Sequence, residues 1–409
     1  MLAMKVALAV SFVSVVVGLC PAPKSLLRTP ERGALLLPSR DNGMPAAAAR
    51  TCIRMASSSP ADGGGDEQST GPFTRKSLLE GVTKAAGVLG AGTFVQKGFV
   101  AGVPYHGSPD LSGKTAVITG GNTGLGKETA VRLAQLGADV TIACRNPDKA
   151  FAALEDIKAQ APGAKVGAMP LDLASLDSVG SFAKRYASSS DRLDILVNNA
   201  GVMAIPERQA TKDGFEMQFG TNHLGHFRLT SLLMPALLKS PDARVVNVAS
   251  AAHLFASSVE WDDLNAQAPG AYAPWKAYGL SKLSNIYFTK ALQTRVDSKG
   301  AGSITATTLH PGACRTELGR YLFDPSQPAN PLVYPALAAL TLVTKSPKEG
   351  AQTQIACAAD PALGKGSSAG GTYYVGPKNS ELPSELARDP EAAERMWAAS
   401  EKLVGKFSV

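Results

Sequence analysis

The sequence predicts a doubly wound α/β fold, a parallel sheet covered by helices on both faces, for everything after about residue 110. Three observations carry this. Short apolar runs of strand length alternate with helical segments, a glycine-rich turn joins the first run to the first helix, and no second core or internal repeat follows. The first run is Thr115–Thr119. A helix follows from Gly124 to Gly137, with Ala130, Leu133 and Ala134 on one face and glycine at its end. The next runs are Asp139–Cys144, Val166–Leu171, Ile195–Asn198, Arg244–Val248 and Ile304–Leu309, with helical segments between them.

Composition is that of a globular chain: 409 residues, 44% hydrophobic and 18% charged. The formal charge of +7 is uneven. Eleven Lys/Arg face six Asp/Glu before Asp110, leaving 30 against 28 in the body. No basic stripe with interleaved aromatics appears, so nucleic acid is not an expected partner. The five cysteines form no CxxC pair and fit a reducing compartment. Residues 1–56 read as an address. Lys5 precedes an apolar run, Val6 to Leu19, too short to span a bilayer as a helix. An acid-poor stretch with Arg28, Arg32, Arg40, Arg50 and Arg54 follows. Together they resemble the bipartite signal-plus-transit address of a plastid (chloroplast); a secretory signal with a disordered linker is the competing reading. Residues 57–109 read as a linker and a short apolar helix. Thr74–Leu79 resembles a thylakoid signal in part, and a packed helix or a membrane contact are the alternatives. Residues 110–409 are the expected catalytic body.

Thr119-Gly120-Gly121-Asn122-Thr123-Gly124-Leu125-Gly126 lies between the first strand and the first helix. Glycines there permit a tight turn, and the helix N-terminus offers free N–H groups to a pyrophosphate. This is the strand–loop–helix context of a Rossmann-type dinucleotide site. An acid at the end of the second strand would bind a ribose 2′-hydroxyl. Cys144-Arg145-Asn146 stands there instead, and Arg145, aided by Lys127, suits the 2′-phosphate of NADP(H). Asp172 is placed to meet the adenine edge, with a helix N-cap as its alternative role.

Tyr278 and Lys282 are at i and i+4, on one helix face. A cation about 4 Å from a phenol favours phenolate by about 4 kcal/mol at an effective dielectric near 20. That would bring a side chain with a pKa of roughly 10 close to working pH. Around this pair stand Asn198-Asn199-Ala200-Gly201 at the end of the fourth strand, Asn222 in a helical stretch, Ser250 after the fifth strand, and Pro311-Gly312 through Thr316 after the sixth.

This order of motifs resembles the short-chain dehydrogenase/reductase family from Leu111 almost to the C-terminus. Asn122–Ala130, Asp213–Glu216, Asn222–Phe227, Ser281–Asn285 and Ser346–Thr353 resemble its retinol dehydrogenase and light-dependent protochlorophyllide oxidoreductase branch. The resemblance implies a nicotinamide oxidoreductase. It makes Tyr278 the general acid/base and Lys282 the group that lowers its pKa and holds the nicotinamide ribose. Ser250 would bind the substrate oxygen, and Asn222 would support a water relay to Lys282. Asn199, Ala200, Gly201, Pro311, Gly312 and Thr316 would position the cofactor. The insert between Ser250 and Tyr278, with Trp261 and Trp275, would line the substrate pocket.

The expected reaction interconverts a carbonyl and an alcohol on an apolar small molecule. A protochlorophyllide-type pigment reductase is the first alternative, although Gly201, Gly279 and Leu280 depart from its usual residues. A nucleotide-sensing scaffold on the same fold is the second, against which the full Asn-Ser-Tyr-Lys set speaks. His223-x-x-His226 has helical spacing, but no further ligands accompany it, so no metal is expected. Pro331–Val343 reads as a buried lid helix or a peripheral membrane contact. Oligomeric state is not legible.

Overall fold

The computed structural model describes residues 104–318 and 344–409. The expected address, the linker, the apolar segment before residue 104 and the Pro331–Val343 lid lie outside the described residues. Within them, seven parallel strands form one sheet in the order β3-β2-β1-β4-β5-β6-β7. The strands are β1 Thr115–Thr119, β2 Asp139–Cys144, β3 Val166–Pro170, β4 Ile195–Asn198, β5 Ala243–Val248, β6 Ile304–Leu309 and β7 Tyr373–Tyr374. The first six coincide with the expected runs to within one residue at an end. The seventh is only two residues long, and no periodic run announced it.

Strands β4, β5 and β6 are buried throughout, whereas edge strand β3 is half exposed. The centre therefore consists of near-continuous apolar segments, as helices on both faces require. Helices α1 Gly124–Gln135, α2 Pro147–Gln160 and α3 Leu176–Ser189 follow the first three strands. After β4, a π turn at Gly220–Leu224 leads into α4 Gly225–Leu237. The long helix α5 spans Pro274–Ser298. Helices α6 Gln352–Ala359 and α7 Pro390–Val404 complete the layers. Packing begins ahead of residue 110: the Tyr105 N–H donates to Gln352 Oε1 at 2.9 Å, and its ring packs with Ala351, Ile355 and Ala356.

Polar residues also register the layers. Asn198 Nδ2 donates to Asn247 Oδ1 at 2.8 Å, and Asn247 Nδ2 donates to Thr289 Oγ1 at 2.9 Å. These bonds tie β4 to β5 and β5 to α5. Buried polar bonds of this kind favour one arrangement of the two strands and the helix.

Strand order reverses between β1 and β4, the two central neighbours from which the chain winds outward in opposite directions. The crevice beyond their C-terminal ends is where doubly wound sheets take ligands. Helix α7 closes the core with an aromatic cluster. Trp397 lies 4.7 Å from Phe407 and 5.0 Å from Phe227 between ring centroids, with the Arg295 guanidinium 4.1 Å above its ring. Replacing this buried ring by alanine is expected to destabilise the fold by about 3–5 kcal/mol. Urea denaturation of Trp397→Ala checks this; a loss below about 1 kcal/mol would show that the cluster is not part of the cooperative core.

Candidate active site

The glycine turn is built for close approach. Gly120 has φ +65°, and a Cβ there would sit 3.1 Å from Ala200. Gly124 has φ +55°, and its Cβ would lie 3.2 Å from Thr316 Cγ2. Both positions favour glycine, and they bring the turn against the loops that follow β4 and β6. Thr119 fixes the first of these loops: its hydroxyl oxygen accepts the N–H groups of Asn199 and Ala200, each at 2.9 Å. Asn199 returns a bond from Nδ2 to the Thr119 carbonyl at 2.8 Å.

Helix α1 starts after Asn122 and Thr123 without a side-chain cap and without an acid in its first turn. Helices α2 and α3, by contrast, are capped by Asn146 and Ser175. The α1 N–H groups of Gly124, Leu125 and Gly126 therefore face the crevice with their dipole uncompensated. A dinucleotide pyrophosphate fits this cradle.

Arg145 is exposed just beyond β2, after buried Cys144. Lys127 does not join it, because its ammonium pairs with Asp156 at 2.8 Å. The N-cap alternative for Asp172 also fails. Ser175 caps α3, while Asp172 Oδ1 accepts from the Ala174 N–H at 3.1 Å in a local turn.

Helix α5 brings Tyr278 and Lys282 beneath the ends of β4 and β5. Tyr278 and Lys282 are each 3% exposed. Lys282 Nζ donates to the Val248 carbonyl at 2.9 Å and lies 5.7 Å from the centroid of the Tyr278 ring. Ser250 is the second residue past β5, caps the short helix Ala251–Phe255, and hydrogen bonds with Tyr278. Serine, phenol and ammonium thus meet at one place, as the resemblance implied.

Electrostatics overturn one expectation. The i,i+4 ammonium was expected to draw the phenol toward neutral pKa. Burial dominates instead and pushes Tyr278 up to about 12, against the hydrogen bond with Ser250 that pulls the other way. Burial also draws Lys282 down to about 8. The cause is common to both, since loss of water disfavours whichever form is charged. The resting phenol is a proton donor.

Asn222 anchors the loop after β4. Its Oδ1 accepts from the Val202 N–H at 2.8 Å, and its Nδ2 donates to the Val202 carbonyl and to Ser281 Oγ, both at 2.9 Å. The side chain locks the loop after β4 onto α5. Gly201 is pressed against the same group: a Cβ there would stand 3.1 Å from Asn222 Oδ1 and 3.7 Å from Lys282 Nζ.

Pro311 and Gly312 follow β6, with Gly312 (φ +86°) against the Lys345 side chain. Lys345, which pairs with Cys314 through a backbone bridge, was not singled out from sequence; the segments are joined only in three dimensions.

Met203, Ala204, Ala252 and Tyr278 form a separate apolar cluster, with Phe255, Trp275 and Leu318 packed on it. Trp275 stands 6.2 Å from the Tyr278 ring, edge to face. Trp261, expected to line the same pocket, packs instead on the main core beneath the Arg395 guanidinium, 4.5 Å away. The expectation of no metal rested on ligand count. His223 donates to or accepts from Ser400 Oγ at 2.8 Å among aromatic rings, and no group of three metal-ligating side chains occurs among the described residues.

Comparison with known proteins agrees with this geometry. The family model for short chain dehydrogenase matches residues 114–261. Human retinol dehydrogenase 13 is 41% identical over 327 residues, which cover 78% of this chain and 93% of that protein. Mouse retinol dehydrogenase 12 is 40% identical over 311 residues, covering 75% and 91%. A solved structure of an uncharacterized protein from Mycobacterium paratuberculosis shares 34% identity with a TM-score of 0.58, covering 75% of this chain and all of that one. Similarity at this level along nearly the whole length of the relatives means that the chain belongs to the short-chain dehydrogenase/reductase family.

Proposed function

We propose that the protein is an NADPH-dependent reductase of carbonyls on apolar, retinoid-like substrates. The observation that carries this reading is the state of Tyr278: a phenol kept protonated by burial, in an apolar cluster with Met203, Ala204, Ala252, Phe255, Trp275 and Leu318. Such a cluster offers an isoprenoid chain apolar contact and offers a charged substrate nothing. The names of the relatives point to retinol as the alcohol of the pair.

When bound, NADPH supplies the hydride that reaches the carbonyl carbon. The chain supplies the rest. Ser250 donates to the carbonyl oxygen and orients it toward Tyr278. As the C=O π bond gives way to the new C–H bond, Tyr278 Oη gives its proton to that oxygen, completing the alcohol. The phenolate left behind is stabilised by the Lys282 ammonium, whose attraction is strong in surroundings without water. Lys282 would also donate to the nicotinamide ribose. Thr316 and the backbone after Pro311 would hold the nicotinamide end, and Asp172 would meet the adenine edge. Cys144 leaves the end of β2 without an acid, so Arg145 would pair with the 2′-phosphate.

Gly279 favours this reading over a pigment reductase. A Cβ there would stand 2.8 Å from the Ala252 carbonyl and 3.0 Å from the Ala256 nitrogen, so the position has no room for a residue other than glycine.

Tyr278→Phe removes the transferable proton and keeps the ring. Reduction of all-trans-retinal is expected to slow by at least about 10²-fold, with NADPH still bound. Stopped-flow NADPH oxidation and fluorescence titration check this, and near-normal turnover by the folded variant would exclude Tyr278 as the acid. Cys144→Asp combined with Arg145→Ala should repel a 2′-phosphate and accept from ribose hydroxyls. The ratio of kcat/KM for NADPH to that for NADH should fall. An unmodified protein that prefers NADH would overturn the role given to Arg145.

A further inference from the structure

His226 is buried, lies outside the reacting cluster, and is the unabsorbed half of the His-x-x-His pair. Its ring touches two things. Nδ1 is 2.9 Å from the Asn222 carbonyl, and Nε2 is 2.8 Å from Thr119 Oγ1. A carbonyl can only accept, so Nδ1 carries the proton. In the neutral ring Nε2 then accepts, and the Thr119 hydroxyl is its donor. Burial supports the neutral form by drawing the imidazole pKa down to about 4.

With that tautomer, one run of bonds leads from the nucleotide loop to Asn222, and a second leads from the Asn222 side chain to α5. The N–H groups of Asn199 and Ala200 donate to Thr119 Oγ1, which donates to His226 Nε2. A weaker acceptor for the same hydroxyl, the Val197 carbonyl, lies at 3.4 Å. His226 Nδ1–H donates to the Asn222 carbonyl. Asn222 Nδ2 donates to Ser281 Oγ at 2.9 Å, and Ser281 donates to the Tyr278 carbonyl at 2.7 Å. Thr119, Asn222, His226 and Ser281 are each no more than 1% exposed. The Thr119 hydroxyl and the His226 imidazole each accept and donate, so their bonds polarise one another in a dry interior, and the covalent frame of Asn222 carries the connection on to Ser281.

The π turn at Gly220–Leu224 is the hinge of this arrangement. Its extra residue closes a bond from the Gly225 N–H to the Gly220 carbonyl and places Asn222 so that backbone and side chain serve opposite directions. One end of the run is the loop against the glycine turn, and the other is the backbone of the acid itself.

We propose that His226 is a positioning residue: as the Nδ1–H tautomer, it sets the register of the helix carrying Tyr278 against the nucleotide loop. This rests on the functional reading above, because it gives those two walls the cofactor and the proton. It adds a residue with no contact to either.

The test is a double-mutant cycle in the full chain with Thr119→Val and His226→Leu, together with Thr119→Ser. NADPH dissociation constants and kcat for retinal are measured per nucleotide-binding site, so that loss of folded protein does not enter. Each apolar variant should lower kcat by about tenfold or more, the scale of a small misplacement of reacting groups, with the KM for retinal changed less than threefold. The double variant should lose no more than the worse single one, because one run is broken either way. Thr119→Ser, which keeps the hydroxyl, should recover most of the loss of Thr119→Val. Losses that multiply, or unchanged kcat in folded His226→Leu, would overturn the proposal. If His226→Leu does not fold, equal kcat for Thr119→Val and Thr119→Ser would overturn it alone. If the unmodified protein binds NADPH but reduces no carbonyl, the functional reading fails instead, and the same cycle is read from NADPH dissociation constants.

Discussion

A buried ammonium is the constraint around which the site is arranged. Lys282 sits where almost no water reaches, and taking its charge out of water is unfavourable unless polar groups replace the hydration. The Val248 carbonyl replaces part of it, at the point where β5 ends and its carbonyls no longer face a neighbouring strand. Bare Gly201 leaves room beside the group, and Asn222 closes the wall. The same dryness acts on the neighbouring phenol. Burial raises Tyr278 and lowers Lys282, so the pair rests as neutral acid and easily lost cation. A charge developing on the phenol oxygen during proton donation then meets an ammonium unscreened by solvent.

The topology explains why these groups meet there. The order reversal between β1 and β4 leaves a crevice, and the loops after β1, β4, β5 and β6 all open into it. Each loop contributes one kind of part. The first gives free helix N–H groups, the second gives Asn199 to Gly201, the third gives Ser250, and the fourth gives Pro311 to Thr316. Helix α5 crosses below and adds Tyr278 and Lys282 from one face. The glycine turn touches both Ala200 and Thr316, so displacement of one loop is felt by the others.

Much of this was legible in the sequence because it is local. Strand runs such as Thr115–Thr119 are short apolar segments between turn residues, and the i,i+4 spacing of Tyr278 and Lys282 fixes a shared helix face. What escaped depends on distant partners. Strand β7 has two residues and exists because β6 offers an open edge. Lys127 looked free until α2 placed Asp156 beside it. The pKa of Tyr278 depends on burial among residues such as Met203, Ala252 and Trp275, which outweighs the i,i+4 attraction that spacing alone shows. Asn222 was identified as important, but its partners Val202 and Ser281 follow from a π turn that no hydrophobic period encodes.

The central claim is that a buried, charged Lys282 sets the chemistry while Tyr278 stays protonated. The pH dependence of kcat/KM for NADPH, which reports groups of the free enzyme, tests it most directly. Lys282 is charged below its lowered pKa of about 8, so kcat/KM should fall as pH rises through that region. Tyr278, near 12, and His226, near 4, titrate too far away to produce the change. Lys282→Met should be slow at every pH and should lack the inflection. A flat profile from pH 6 to about 10 in the unmodified protein, or the same inflection in Lys282→Met, would contradict the account.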